Sequence, residues 1–228
     1  MIIAIDGTAA SGKGSLAKNL AIVLNIYHVD TGSFYRVLAS LAIKLGIENS
    51  KELINLAKIL SVKKFIEVRD TEGKNLKSSL ISEKSSQIAT DKNIRKVLIE
   101  LQRQYVKQHI ISHNGAVIDG RDIGSVVFPD ADFKFYLDAD IRIRAESRTQ
   151  ELIHLNYKVI YLDVLSDLIS RDERDKKRAE GSLKKVKDAY YIDTGNKSEE
   201  LVLQKALKVI KNFYILGLNL MFVYKFSW

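Results

Sequence analysis

Cysteine is absent from the 228 residues, which excludes disulfides and thiolate metal sites. That suits a reducing compartment, and a cytoplasmic protein is expected. Proline occurs once, at Pro129, and tryptophan once, at Trp228, so there is neither a proline-rich linker nor a polyproline recognition segment. No internal repeat or low-complexity tract is visible. The opening residues lack the basic stretch and the apolar length of a secretory leader. One longer apolar stretch, 213–226, is interrupted by Asn219 and Lys225 and falls short of the roughly 20 residues a spanning helix needs. A buried helix or docking tail is expected there, and no membrane partner.

What is present suits a globular enzyme-sized chain. Apolar residues make up 46 %, enough for a substantial core. Lysine and arginine number 36 against 28 acidic residues, a net charge of +8. Such a balance fits nucleic acid, an anionic surface or a polyanionic small substrate equally well. No aromatic-interleaved basic patch and no helix-turn-helix pattern appears, so nucleic acid is not an expected partner.

The chain is organised around its first residues. Ile2 to Ile5 read as a buried strand ending in Asp6-Gly7, and Lys13 opens a segment with Leu16, Leu20, Val23 and Leu24 at helical spacing. Strand, glycine-punctuated loop and helix are the setting in which Gly-x-x-x-x-Gly-Lys cradles phosphate. Backbone N–H groups across Gly7, Thr8, Ala9, Ala10, Ser11, Gly12, Lys13, Gly14 and Ser15 would face an anion, helped by the helix N-terminus. Lys13 supplies a mobile cation for the outer phosphates. Gly14 separates Lys13 from the hydroxyl of Ser15, a spacing typical of kinases that act on small nucleotides.

Further strands are expected at 26–29, 116–119, 133–137 and 190–193, with helices between them over 33–45, 50–60 and 85–112, the last broken near 90–93. The final helix should start near Asn196 or Ser198. Phe65 to Val68, a turn at Asp70 to Gly73, and Leu76 to Ile81 predict a small peripheral hairpin. Strands alternating with helices imply a parallel α/β sheet with ligands at the carboxyl ends of its strands. Four of the five predicted strands end in aspartate next to Gly, Thr or Arg: Asp6, Asp30, Asp119 and Asp193. Turn chemistry favours such residues, but Arg121, between Asp119 and Asp122, places a cation where phosphates would lie. In the run from Arg171 to Arg178, Arg171, Asp175 and Arg178 share one helical stripe. Beside a phosphate loop, that stripe suits a charged lid supplying planar cations to a migrating phosphoryl group. The four histidines fall outside these motifs and are expected to be bystanders. The residues alone leave several acceptors open, UMP, AMP and shikimate among them, as well as a nucleotide-dependent switch.

Taken together, Gly7 to Ser15, Asp30-Thr-Gly-Ser-Phe-Tyr-Arg36, Ile118-Asp-Gly-Arg-Asp-Ile-Gly124, Val126-Val-Phe-Pro-Asp130 and Arg171 to Arg178 closely resemble bacterial-type cytidylate kinase. Related adenylate kinases lack the Asp-Gly-Arg-Asp-Ile-Gly stretch. The resemblance implies a P-loop α/β fold, a five-stranded parallel sheet in the order 2-3-1-4-5 flanked by helices, with NMP-binding and lid insertions. Its core would comprise about 1–35, 113–150 and 186–213, the NMP-binding insertion about 36–112, and the lid about 151–185; the tail 214–228 has no counterpart. The stretch 62–86 is shorter than the family's usual insert.

By the same resemblance, ATP with Mg2+ would donate its γ-phosphate to CMP or dCMP, in a monomer. Gly7 to Ser15 would hold the ATP phosphates together with Arg144 and Arg148, and Ser15 would face the metal through water. Thr31, Arg36 and Arg121 resemble the clamp for the acceptor phosphate; Ser86, Arg95 and Asp122 match positions that hold the cytosine edge. Arg171 and Asp175 match the sugar-contacting pair and Arg178 the neighbouring lid arginine, with Lys13, Arg121, Arg171 and Arg178 the expected catalytic cations.

Overall fold

The computed structural model describes the backbone of residues 1–225 and the side chains of residues 1–213. Expectations about the tail 214–228 fall outside the residues described in full. Five strands, β1 (Ile2–Gly7), β2 (Tyr27–Asp30), β3 (Ala116–Asp119), β4 (Phe133–Asp138) and β5 (Tyr190–Asp193), form one sheet in the order β2-β3-β1-β4-β5. All four pairings are parallel. A parallel neighbour demands a crossover, and helices supply it. The order matches the one the family resemblance implies.

Alternate side chains explain how β1 serves two cores. Ala4 joins Val29 and Ile118 on one face, while Ile3 and Ile5 join Val117, Phe135, Leu137 and Ile192 on the other. Burial on both faces is why Ile2 to Ile5 read as a continuous apolar run rather than an alternating one. Helices α1 (Lys13–Leu24) and α9 (Glu199–Lys225) cover the second face. The first is covered by α2 (Gly32–Leu45), α3 (Ser50–Ile59), α4 (Val62–Glu72), α5 (Ser79–Ile88) and α6 (Lys92–His113). A third, smaller core, with Ala9, Ala145, Leu152, Val164 and Leu168, joins α7 (Ile141–His154) to α8 (Tyr161–Lys177).

The hairpin predicted over 65–81 is not there. Residues 62–72 are helical, Gly73–Lys77 form a 3-10 turn, and α5 begins at Ser79. Two hydroxyl caps decide this locally: Ser61 accepts from the Lys64 N–H at 3.2 Å and Ser78 from the Ile81 N–H at 3.5 Å. Tertiary packing does the rest. Phe65 and Val68, three residues apart, both turn inward, and the Phe65 ring stacks on Phe34 with centroids 3.8 Å apart. A four-residue run with β-prone composition was thus drawn into helix by an aromatic partner far away in sequence.

Candidate active site

β2, β3, β4 and β5 end in aspartate and β1 in Asp6-Gly7, all at the same rim of the sheet. Register aligns them: Asp30 pairs with Asp119, and Asp138 with Asp193. Above this rim lies a cleft of about 630 Å³. Gly7 opens it, and no other residue fits there, because a Cβ would sit 2.0 Å from the carbonyl oxygen of Leu137 on the neighbouring strand. The loop then turns through Gly12, in left-handed backbone, into α1.

Lys13 is folded back onto this loop. Its Nζ donates to the Thr8 carbonyl at 2.5 Å and to Ser11 Oγ at 3.4 Å. Burial, and then the positive charge of Arg121, push its ammonium well below the usual lysine range. Thr8 Oγ1 donates to Asp138 at 2.6 Å, and Thr194, just past β5, donates to the Ser11 carbonyl at 3.1 Å. The Asp-Thr-Gly turn after β5 therefore braces the phosphate loop.

On the other side of the cleft, Thr31 Oγ1 donates to the Asp119 carbonyl at 2.8 Å, and Arg36 is paired with Asp30. Arg95 is paired with Asp122, both buried, and donates to Tyr35 at 3.2 Å. Ser86, Arg95 and Asp122 line one lobe of the cleft. Burial pushes the Asp122 carboxyl up, with Arg95 and Arg178 opposing. Gly181 passes so close to this pair that a Cβ would fall 2.1 Å from Arg95 Nη2 and 2.3 Å from Asp122 Oδ2, and its φ of +64° suits glycine.

From above, α8 lowers its stripe into the cleft. Arg121 Nε donates to Asp175 at 2.7 Å, and Arg178 lies 3.7 Å from the same carboxylate. Burial would raise the Asp175 carboxyl, but Arg121, Arg171 and Arg178 outweigh it and hold it below the usual range. Arg171 has less compensation. Burial, reinforced by Arg121, brings its guanidinium down to about 9. Among the described residues, the buried guanidinium donors without a protein partner are Nε of Arg36, Arg95, Arg171 and Arg178, with Nη2 of Arg178; Gln102 Nε2 also lacks one. Buried N–H groups of this kind belong next to an anion.

Arg144 and Arg148, expected at ATP, line the same cleft but direct their donors to the protein. Arg144 reaches the carbonyls of Ala139 and Ala9, each at 2.9 Å, and Asp172 at 2.7 Å; Arg148 reaches Glu151 at 2.7 Å and the Lys77 carbonyl at 2.9 Å. Several participants hold roles that the sequence does not signal. Asp172, hidden in the charge run of α8, also accepts from the Ala9 N–H at 3.2 Å and so ties that helix to the loop after β1. Asp6 accepts from the N–H groups of Ile123 and Gly124 at 2.7 and 2.8 Å, fixing the turn that carries Arg121 and Asp122. Burial pushes its carboxyl up to about 6, against those two bonds. His28 lies 2.7 Å from Asp119, so one histidine borders the site.

The chain is similar to known proteins in fold and in sequence. A chain from Eubacterium ventriosum ATCC 27560, described only as an uncharacterized protein, shares the fold with a TM-score of 0.51 at 14 % identity, over 92 % of this chain and 98 % of that one. The cytidylate kinase of Bartonella tribocorum is 39 % identical over 92 % of this chain and 94 % of its own length. That of Clostridioides difficile is 36 % identical over 92 % of this chain and 98 % of its own. The family profile described as cytidylate kinase matches residues 3–212, and the chain belongs to that family.

Proposed function

We infer that this chain transfers the γ-phosphate of ATP to CMP or dCMP, giving ADP and CDP or dCDP. The observation that carries the reading is the ring of buried guanidinium donors without protein partners around Asp122 and Asp175. It calls for a ligand that is polyanionic at one end and offers an amino donor at the other. Cytosine presents its N4 amino group beside the N3 and O2 acceptors, which suits a carboxylate next to donors. Asp122 would accept from N4, with Arg95 and Ser86 facing the acceptor edge. Thr31, Arg36 and Arg121 would hold the acceptor phosphate, and Asp175 with Arg171 the sugar.

On the donor side, the loop from Gly7 to Ser15 would cradle the ATP phosphates. Lys13 would exchange its bonds to Thr8 and Ser11 for the β- and γ-phosphates, regaining an anionic partner. Arg121, Arg171 and Arg178 then surround the phosphoryl group in flight, where charge spreads over three oxygens. No general base is needed, because the CMP phosphate is already an anionic nucleophile; alignment and charge stabilisation are the work. Mg2+ fits the residues present. Among the described residues no three carboxylate, histidine or thiol groups form a metal cage, and Ser15 lines the cleft in the first turn of α1. That donor set suits an ion carried on ATP with most of its waters, which neutralises phosphate charge when bound. Residues 36–112 serve as the acceptor-side insertion and 151–185 as the lid. No helix of the described residues is long and apolar enough to cross a membrane.

Titration calorimetry tests the acceptor assignment. Asp122→Asn should weaken CMP binding by roughly 10- to 100-fold while leaving ATP binding within about 2-fold, since a buried polar mismatch falls on the base alone. Unchanged CMP affinity would move base recognition to another lobe.

A further inference from the structure

Between Arg171 and Asp175 on α8 lies Arg174, which faces away from the phosphoryl cluster. Its guanidinium ties α8 to α5. Nη2 donates to Glu83 at 2.7 Å, and Nε donates to Ser86 Oγ at 3.1 Å. Glu83 and Ser86 are three residues apart on one face of α5, so one planar fork meets both. Glu83 is steadied from below by Gln87, whose amide donates to it at 3.0 Å. Ser86 is 5 % exposed and lines the cleft together with Arg95 and Asp122.

A serine hydroxyl has one hydrogen to give and two lone pairs to receive. A guanidinium only donates. The bond from Arg174 therefore fills an acceptor position of Ser86 and leaves the O–H hydrogen for another partner. Inside a helix that hydrogen commonly turns back to a carbonyl one turn earlier. The adjacent Ser85 does so, donating to the Ser82 carbonyl at 2.8 Å, whereas Arg174 is the one hydrogen-bond partner of Ser86 Oγ among the described residues. With that partner in place, Ser86 presents a donor to the cleft.

We propose that Arg174 is a positioning residue for base selection: by donating to Ser86 from the lid helix it makes the hydroxyl a donor toward the base, so that discrimination of cytosine from uracil is completed only when α8 packs on α5. This rests on the assignment of the Ser86, Arg95 and Asp122 lobe to the base. A donor hydroxyl beside the Asp122 acceptor matches the N3 acceptor and N4 donor of cytosine. Uracil offers N3–H and O4 in those places, which sets donor against donor and acceptor against acceptor.

The experiment is a double-mutant cycle read as kcat/KM for CMP and for UMP, with KM for ATP and a thermal melt recorded for each variant. Arg174→Ala should lower the CMP-to-UMP ratio by about 5- to 10-fold without moving KM for ATP. Ser86→Ala should lower it similarly, and the double variant should lose no more than Ser86→Ala alone, because Arg174 acts through that hydroxyl. Arg174→Lys keeps the charge but cannot reach both partners as a fork, so it should resemble Arg174→Ala in selectivity. Losses that multiply in the double variant, equal losses with CMP and UMP, or full selectivity in Arg174→Lys would each overturn the proposal. A wild-type enzyme that does not prefer CMP to UMP would overturn the base assignment itself; a wild-type preference with independent losses would overturn the role of Arg174 alone.

Discussion

Under the proposed transfer, Arg121 meets both the acceptor phosphate and the phosphoryl group in flight. It is buried between the end of β3 and α8, paired with Asp175, and close enough to Lys13 and Arg171 to depress both. Arg121→Ala should reduce kcat by roughly 100- to 1,000-fold, the scale for removing a preorganised donor at developing charge, while ATP affinity changes by less than about 3-fold. Comparable loss of ATP affinity would place Arg121 on the donor side instead. Asp6 acts at one remove. Its carboxyl is raised to about 6 in the fold from 3.8, so in the window between, the unfolded chain has lost its proton while the folded one retains it. Stability contributed by this group is full below about 4 and lost as pH rises through about 6. The stability of the wild type relative to Asp6→Asn should therefore fall by on the order of 3 kcal/mol from pH 4 to pH 7 in urea melts. A difference independent of pH would contradict that assignment. In sequence, Asp6 is legible as a strand end but not as the clamp of the Arg121 turn, because its two backbone partners lie more than a hundred residues away.

Helices and strands were unequally readable. The five strands and the phosphate-loop helix follow from apolar runs closed by Asp, Gly and Thr, and the break between α5 and α6 falls where Thr90 to Asn93 interrupts the apolar period, with Asp91 capping α6 through the Asn93 and Ile94 N–H groups. The stretch from Val62 to Glu72 misleads for a physical reason. Phe-Ile-Glu-Val satisfies a period of two within four residues, yet what fixes it is the pocket formed by Phe34 and Tyr105, invisible locally. Phe65→Ala should cost about 3–5 kcal/mol by removing a fully buried aromatic ring, and Ser61→Ala about 1 kcal/mol by removing the cap. If residues 62–72 were instead an exposed hairpin, both would be near neutral in a chemical denaturation series. Because α4 buttresses α2, which carries Tyr35 and Arg36 into the cleft, the loss should also raise KM for the acceptor.

At the scale of the whole molecule, a parallel sheet delivers five aspartates to one rim and sets a glycine-bearing loop among them, and helix α8 lies over the result. The surplus of eight positive charges has its use here, since several of the cations face the cleft rather than a solvated surface. Sequence patterning identified the rim, the loop and the arginine stripe because each is built from consecutive or helically spaced residues. It missed the crossings, such as Asp172 to Ala9 and Arg174 to Ser86, because these exist only once α8 has folded over the sheet. A coupled assay of ADP release, with ATP and Mg2+ and with CMP, dCMP, UMP, AMP and shikimate offered separately, tests the central claim most directly. Turnover selective for CMP and dCMP is the predicted result. Turnover favouring any other acceptor, or none with a folded protein that still binds ATP, would contradict it.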